Sequence, residues 1–127
     1  MKDEIKMFLE RAEGFYDNAI YNYNNGRYDL ALFNIEQAIQ LLIKAKLLDL
    51  KGYYEKTHNL RKLLSDLNNI LNSRELEEFI NKNIEIIKII ELSYIGARYL
   101  FYEFDKTDAE KGIKIYKELK EILWKIY

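Results

Sequence analysis

Cysteine, proline and valine are all absent from the 127 residues, and there are only five glycines, one histidine and one tryptophan. Without cysteine the chain has no disulfide, no thiolate nucleophile and no Cys-ligated zinc, so packing alone must hold it together. Without proline its helices run uninterrupted, and the Gly and Asn clusters become the natural breaks. An excess of one charge is also lacking: 20 basic side chains stand against 21 acidic ones, a formal net charge of -1. No global positive field exists to draw in duplex nucleic acid or anionic lipid. Long apolar runs are missing as well, since Leu41 to Ile43 and Ile86 to Ile90, interrupted by Lys88, fall far short of the ~20 residues of a membrane span. The start, Met1, Lys2, Asp3, Glu4 and Ile5, lacks the apolar stretch of a secretory signal, so the cytoplasm is the expected location.

What is present is helical pattern. With 49% hydrophobic and 32% charged residues, the length suits one domain over residues 1–127. Ile5, Phe8, Ala12, Phe15, Ala19 and Tyr23 recur at helical spacing, predicting a first helix from about Asp3 to Asn24 that stops at Asn24, Asn25 and Gly26. A second, from about Tyr28 to Leu50, is apolar on most of its circumference through Ala31, Ile35, Ala38, Leu42 and Ala45, widened by Leu32, Ile39 and Ile43. Such a helix is buried on more than one side. Gly52 ends it, and Thr57 is the expected cap of a third helix carrying Leu60, Leu63, Leu64, Leu67, Ile70 and Leu71. Ser73 caps a fourth, with a bend expected at Asn83 and a seam through Leu76, Ile80, Ile87, Ile90, Tyr94, Ala97 and Phe101. Thr107 and Glu110 have capping-box spacing ahead of a fifth helix buried through Ala109, Gly112, Tyr116, Leu119, Leu123 and Ile126. The expected fold is therefore all-α, an up-and-down bundle of four to five helices.

Catalytic patterns are scarce. One histidine cannot supply the paired Glu-x-x-His motifs of a di-iron bundle, no serine sits in a glycine-flanked elbow, and no Walker or dinucleotide-binding glycine pattern occurs. No metal and no cofactor is expected.

Blocks of residues spread from about Ala12 to Ile122 carry a family resemblance. They are Ala12, Glu13 and Ala19; Gly26, Arg27, Tyr28, Asp29, Ala31 and Phe33; Gln37, Ala38, Ile39, Ile43, Lys44 and Ala45; Lys56, Thr57, His58, Asn59, Leu60, Leu63 and Leu64; Tyr94, Ile95, Ala97, Arg98 and Tyr99; and Thr107, Ala109 and Glu110. In that order and spacing they resemble the HEPN domain, the higher eukaryotes and prokaryotes nucleotide-binding family. Leu100 stands where the family commonly has Pro, so the fourth helix is expected to run on through Phe101 and Tyr102. The family's ribonuclease branch places His four to six residues after its Arg; here Arg98 is followed by Tyr99, Leu100, Phe101, Tyr102, Glu103 and Phe104. With no imidazole to shuttle a proton there, the resemblance is to the noncatalytic branch.

Each candidate site residue admits a plain reading and a functional one. Gln37, Gln40 and Lys44 form a polar stripe on helix two, either a solvated edge or a site where Lys44 attracts phosphate and the amides bond a base or ribose. His58 is either a hydrogen-bonded residue at a helix start or a ligand group, and Arg98, followed by Tyr99, either pairs with a carboxylate or forks onto phosphate. In an up-and-down bundle Lys44, His58 and Arg98 are all expected at one end. Tyr21, Tyr23, Tyr28, Tyr53, Tyr54, Tyr94, Tyr99 and Tyr102 cannot all be inside, and some are expected in an interface. Leu32, Ile39, Leu41, Ile43 and Leu48 exceed one intramolecular face, which predicts a homodimer built largely on helix two and its neighbours. The resemblance implies a binding subunit for a nucleotide or for a minimal nucleotidyltransferase partner, not an enzyme. The alternatives are a ribonuclease toxin with a degenerate site and a structural helical adaptor.

Overall fold

The computed structural model describes residues 2–99 and 103–125, the side chains of 96–99 excepted. Among the described residues there are six helices and no strand: α1 (Asp3–Asn24), α2 (Tyr28–Lys51), α3 (Leu60–Leu71), α4 (Arg74–Lys82), α5 (Ile84–Tyr99) and α6 (Lys106–Leu123). The chain is an all-α bundle. The expected continuation of a helix through Phe101 and Tyr102, and the burial of Ile126, fall outside the described residues. Among the described residues no helix is long and apolar enough to cross a membrane.

Helix α2 is the axis of the bundle because its circumference is mostly apolar. It packs most extensively on α1 and also touches α3, α5 and α6. Leu32, Ile35, Leu42, Ile43 and Leu47 are fully buried among Leu9 of α1, Leu60, Leu63, Leu64 and Leu67 of α3, and Tyr116 of α6. Four of the five residues expected to lie on a dimer face, Leu32, Ile39, Ile43 and Leu48, are thereby covered within the chain itself. Four neighbouring helices use up these four residues, which supply no dimer face, while Leu41 is half-buried.

The breaks follow local chemistry. Gly26 and Gly52 adopt φ of 74° and 79°, the left-handed conformation that a residue without Cβ takes at least cost. Asn83 does more than bend the fourth helix. Its backbone N–H and its side-chain Nδ2 both donate to the Phe79 carbonyl, at 3.1 and 2.9 Å, which closes α4 while its own carbonyl accepts from Ile87 to start α5. Ser73 caps α4 as expected, its Oγ accepting from the Leu76 amide at 3.1 Å.

Two caps differ from expectation. At α3 the cap is Asn59, whose Oδ1 accepts from the Lys62 amide at 3.0 Å, while the Thr57 oxygen accepts from Asn59 N–H one step earlier in the chain. At α6 the box is formed by Asp105 and Asp108, whose side chains accept from each other's amides at 2.9 and 3.1 Å. Thr107 is thus already inside the helix, and Glu110 instead accepts from the Tyr23 hydroxyl at 2.5 Å. In both places the neighbouring Asn or Asp wins because its acceptor reaches the third amide of the helix.

Candidate functional site

Glu36 lies on α2 with no solvent exposure, and Gln40, one turn further on, is only 5% exposed. A carboxylate without solvent needs internal donors. Gln37 Nε2 donates to Glu36 Oε1 at 2.7 Å, and Gln40 Nε2 donates to Glu36 Oε2 in a short contact. The same Gln40 nitrogen lies 2.8 Å from Nδ1 of His58, an exposed side chain in the segment between α2 and α3. The imidazole stacks on the Tyr94 ring of α5, centroids 4.2 Å apart, and its Nε2 lies 3.1 Å from the Tyr94 hydroxyl. A continuous polar chain therefore runs from the buried core of α2 to the surface: Glu36, Gln40, His58, Tyr94.

The electrostatics follow from burial. Loss of solvent pushes the Glu36 carboxyl up to about 7; the two glutamine donors and the Lys44 ammonium oppose that rise, and the Glu91 carboxylate adds to it. Burial lowers the Lys44 ammonium, and Glu36 partly offsets this. Glu91, on the adjacent turn of α5, is held by Arg61: Nε donates to its two oxygens at 3.0 and 3.1 Å, and the Arg61 amide donates at 2.8 Å.

Gln37 and Gln40 are thus not a solvated edge; they anchor a buried carboxylate, and Gln40 also bonds His58. Lys44 faces Glu36 electrostatically but lies beside the Tyr54 ring, 5.5 Å from its centroid. Phe33 stacks on Tyr94 while Glu36 faces Glu91, so α2 and α5 run antiparallel. That register places the backbone of Arg98 one turn beyond Tyr94, and Lys44 one turn beyond Gln40 in the opposite direction. Along α2 the two levels are roughly 20 Å apart at 1.5 Å per residue, with His58 between them. The side chains of Arg98 and Tyr99 fall outside the described residues.

Glu36, Glu91, Arg61 and Tyr94 did not emerge from the sequence as site residues. Glu36 carried one usable signal: it stands four residues before Gln40 and eight before Lys44 on the otherwise apolar α2.

The model of the HEPN domain matches residues 5–126. The chain belongs to the HEPN domain family. Among solved structures, this HEPN domain is similar to the crystal structure of TT1696 from Thermus thermophilus, with a TM-score of 0.80, 20% identity and 98% of each chain covered. At that identity the likeness shows the fold. No curated protein matches the sequence. Family membership supports, at family level, a nucleotide-binding or ribonuclease-like domain. In this HEPN domain two of the sequence blocks that carry the resemblance meet face to face, because His58 from one stacks on Tyr94 from the other.

Proposed function

We propose that this HEPN domain is a noncatalytic binding subunit that takes a nucleotide or other phosphate compound at the exposed edge of His58 and Tyr94. The observation that carries the reading is His58 itself. It is solvent-exposed, fixed from behind by Gln40 and from the side by Tyr94, and flanked along the bundle by the levels of Lys44 and Arg98. A held imidazole suits a ligand that carries phosphate. Calorimetry with ATP and GTP on the wild type and on His58→Ala tests this reading.

Lack of catalysis is supported by the sequence after Arg98, which has no His through Phe104. A second reading, a ribonuclease, is favoured by one observation: a carboxyl raised to about 7 lies one amide away from an imidazole. Glu36 has no exposed surface to bring to RNA, however, which weighs against it. The protein is proposed to act as a homodimer through the outer face of α5, where Leu92 and Ile95 are 36% and 49% exposed, and beside a minimal nucleotidyltransferase subunit.

A further inference from the structure

The Gln40 side chain occupies a position with a strict chemical logic. One terminal atom of its amide faces two partners at once, the Glu36 carboxyl oxygen and the His58 Nδ1 nitrogen. If that atom is the NH2 group, it has two hydrogens and gives one to each partner. Glu36 Oε2 is then an acceptor, the carboxyl being ionised unless its proton sits on Oε1, and His58 Nδ1 must be a bare lone pair, leaving the imidazole proton on Nε2. If the amide is turned over, the same position holds the carbonyl oxygen, which accepts from two donors. Glu36 must then carry a proton, and so must His58 Nδ1. The mixed states are unfavourable: a carbonyl would face a carboxylate, or an N–H would face an N–H.

We propose that Gln40 is an amide toggle that ties the proton on His58 Nδ1 to the proton on the buried Glu36 carboxyl, and so sets the hydrogen bond that the imidazole makes with the Tyr94 hydroxyl and the charge it presents beside a ligand. With Glu36 ionised, His58 is neutral and its Nε2 is a donor. With Glu36 protonated, Nδ1 carries a proton and Nε2 becomes either a lone pair facing the Tyr94 hydroxyl or the second N–H of a cation. This regulation rests on the proposed ligand site, although the toggle itself operates without ligand.

Simple Coulomb attraction predicts the reverse coupling, since a nearby carboxylate stabilises an imidazolium. The groups that face Glu36 are Lys44 on its own helix, Glu91 on α5 with Arg61 of α3 forked onto it, and His58 in the intervening segment. Lys44 and Glu91 move the pH at which the carboxyl takes its proton. They leave unchanged the rule that one amide atom serves both partners. Gln37 offers the competing route: a protonated Glu36 Oε1 facing a turned-over Gln37 would leave Gln40 and His58 as they are.

The test is an NMR titration of the ligand-free protein with labelled histidine and glutamate, following the Glu36 carboxyl carbon and both His58 ring nitrogens. The expected result is a His58 pattern protonated at Nε2 alone while Glu36 is ionised, with Nδ1 gaining its proton over the same pH range as the carboxyl. In Gln40→Met the two midpoints separate. A wild type in which Glu36 takes its proton while His58 keeps a bare Nδ1, or in which His58 becomes a cation while Glu36 stays ionised, overturns the proposal. The wild-type titration decides by itself if the variant does not fold. Sulfate, a dianion that does not titrate in this range, is then added at pH 6 and pH 8. A perturbed His58 at pH 6 only supports the regulated site. No perturbation at either pH rejects the phosphate reading, with the toggle judged by the ligand-free titration.

Discussion

Replacing Glu36 by Gln removes the one fully buried carboxyl of α2, and the structure sets both the sign and the size of the effect. In the folded chain the group holds its proton up to about 7, against 4.5 for an ordinary glutamate. Between those values the folded state binds more protons than the unfolded state, so this group's contribution to stability falls as pH rises through the window. The full shift corresponds to about 3 kcal/mol. Glutamine has the same shape and no charge, and the amides of Gln37 and Gln40 can turn to match its carbonyl and NH2. Glu36→Gln is therefore expected to match the wild type near pH 4 and to exceed it by up to about 3 kcal/mol near pH 8. Urea denaturation of both proteins across this range gives the difference directly, and groups common to both cancel. A variant less stable than the wild type at pH 8, or a difference that does not change with pH, refutes the reasoning.

Ser73→Ala removes the oxygen that accepts from Leu76 N–H and is expected to cost about 1 kcal/mol in urea denaturation, with the ligand site untouched. Leu92→Lys with Ile95→Lys is expected to turn a dimer into a monomer by light scattering while leaving the helical circular dichroism unchanged; a dimer that survives both charges places the interface elsewhere. Incubation with RNA and a chelator is expected to give no cleavage, and cleavage that disappears in Arg98→Ala would establish the ribonuclease reading instead.

The helices are legible because their apolar spacing is regular, and α1 runs between the same residues that its periodicity marks, Asp3 and Asn24. The misplaced caps show where local pattern loses its hold. Near Thr57 and near Thr107 several polar side chains compete, and only backbone geometry decides whose oxygen meets the third amide. Asn83 was readable as a weak point, but the double donation to Phe79 that turns a bend into two helices was not. Leu32, Ile39, Ile43 and Leu48 were misread as surplus for a different reason. An apolar helix surface says how much must be covered, not whether α3, α5 and α6 or a second copy covers it. The site was half legible. Gln37, Gln40 and His58 were in view, whereas Glu36 needed the bundle: a glutamate in a sequence reads as exposed until the packing around it is seen.

Binding at His58 is the centre of the account, and calorimetry with ATP measures it most directly. The account predicts a dissociation constant below about 1 mM, equivalent to about 4 kcal/mol of binding free energy, and its loss in His58→Ala. Affinity weaker than that in the wild type, or a His58→Ala protein that binds as well as its parent, would contradict it and leave the Glu36 to Tyr94 chain with a structural role alone.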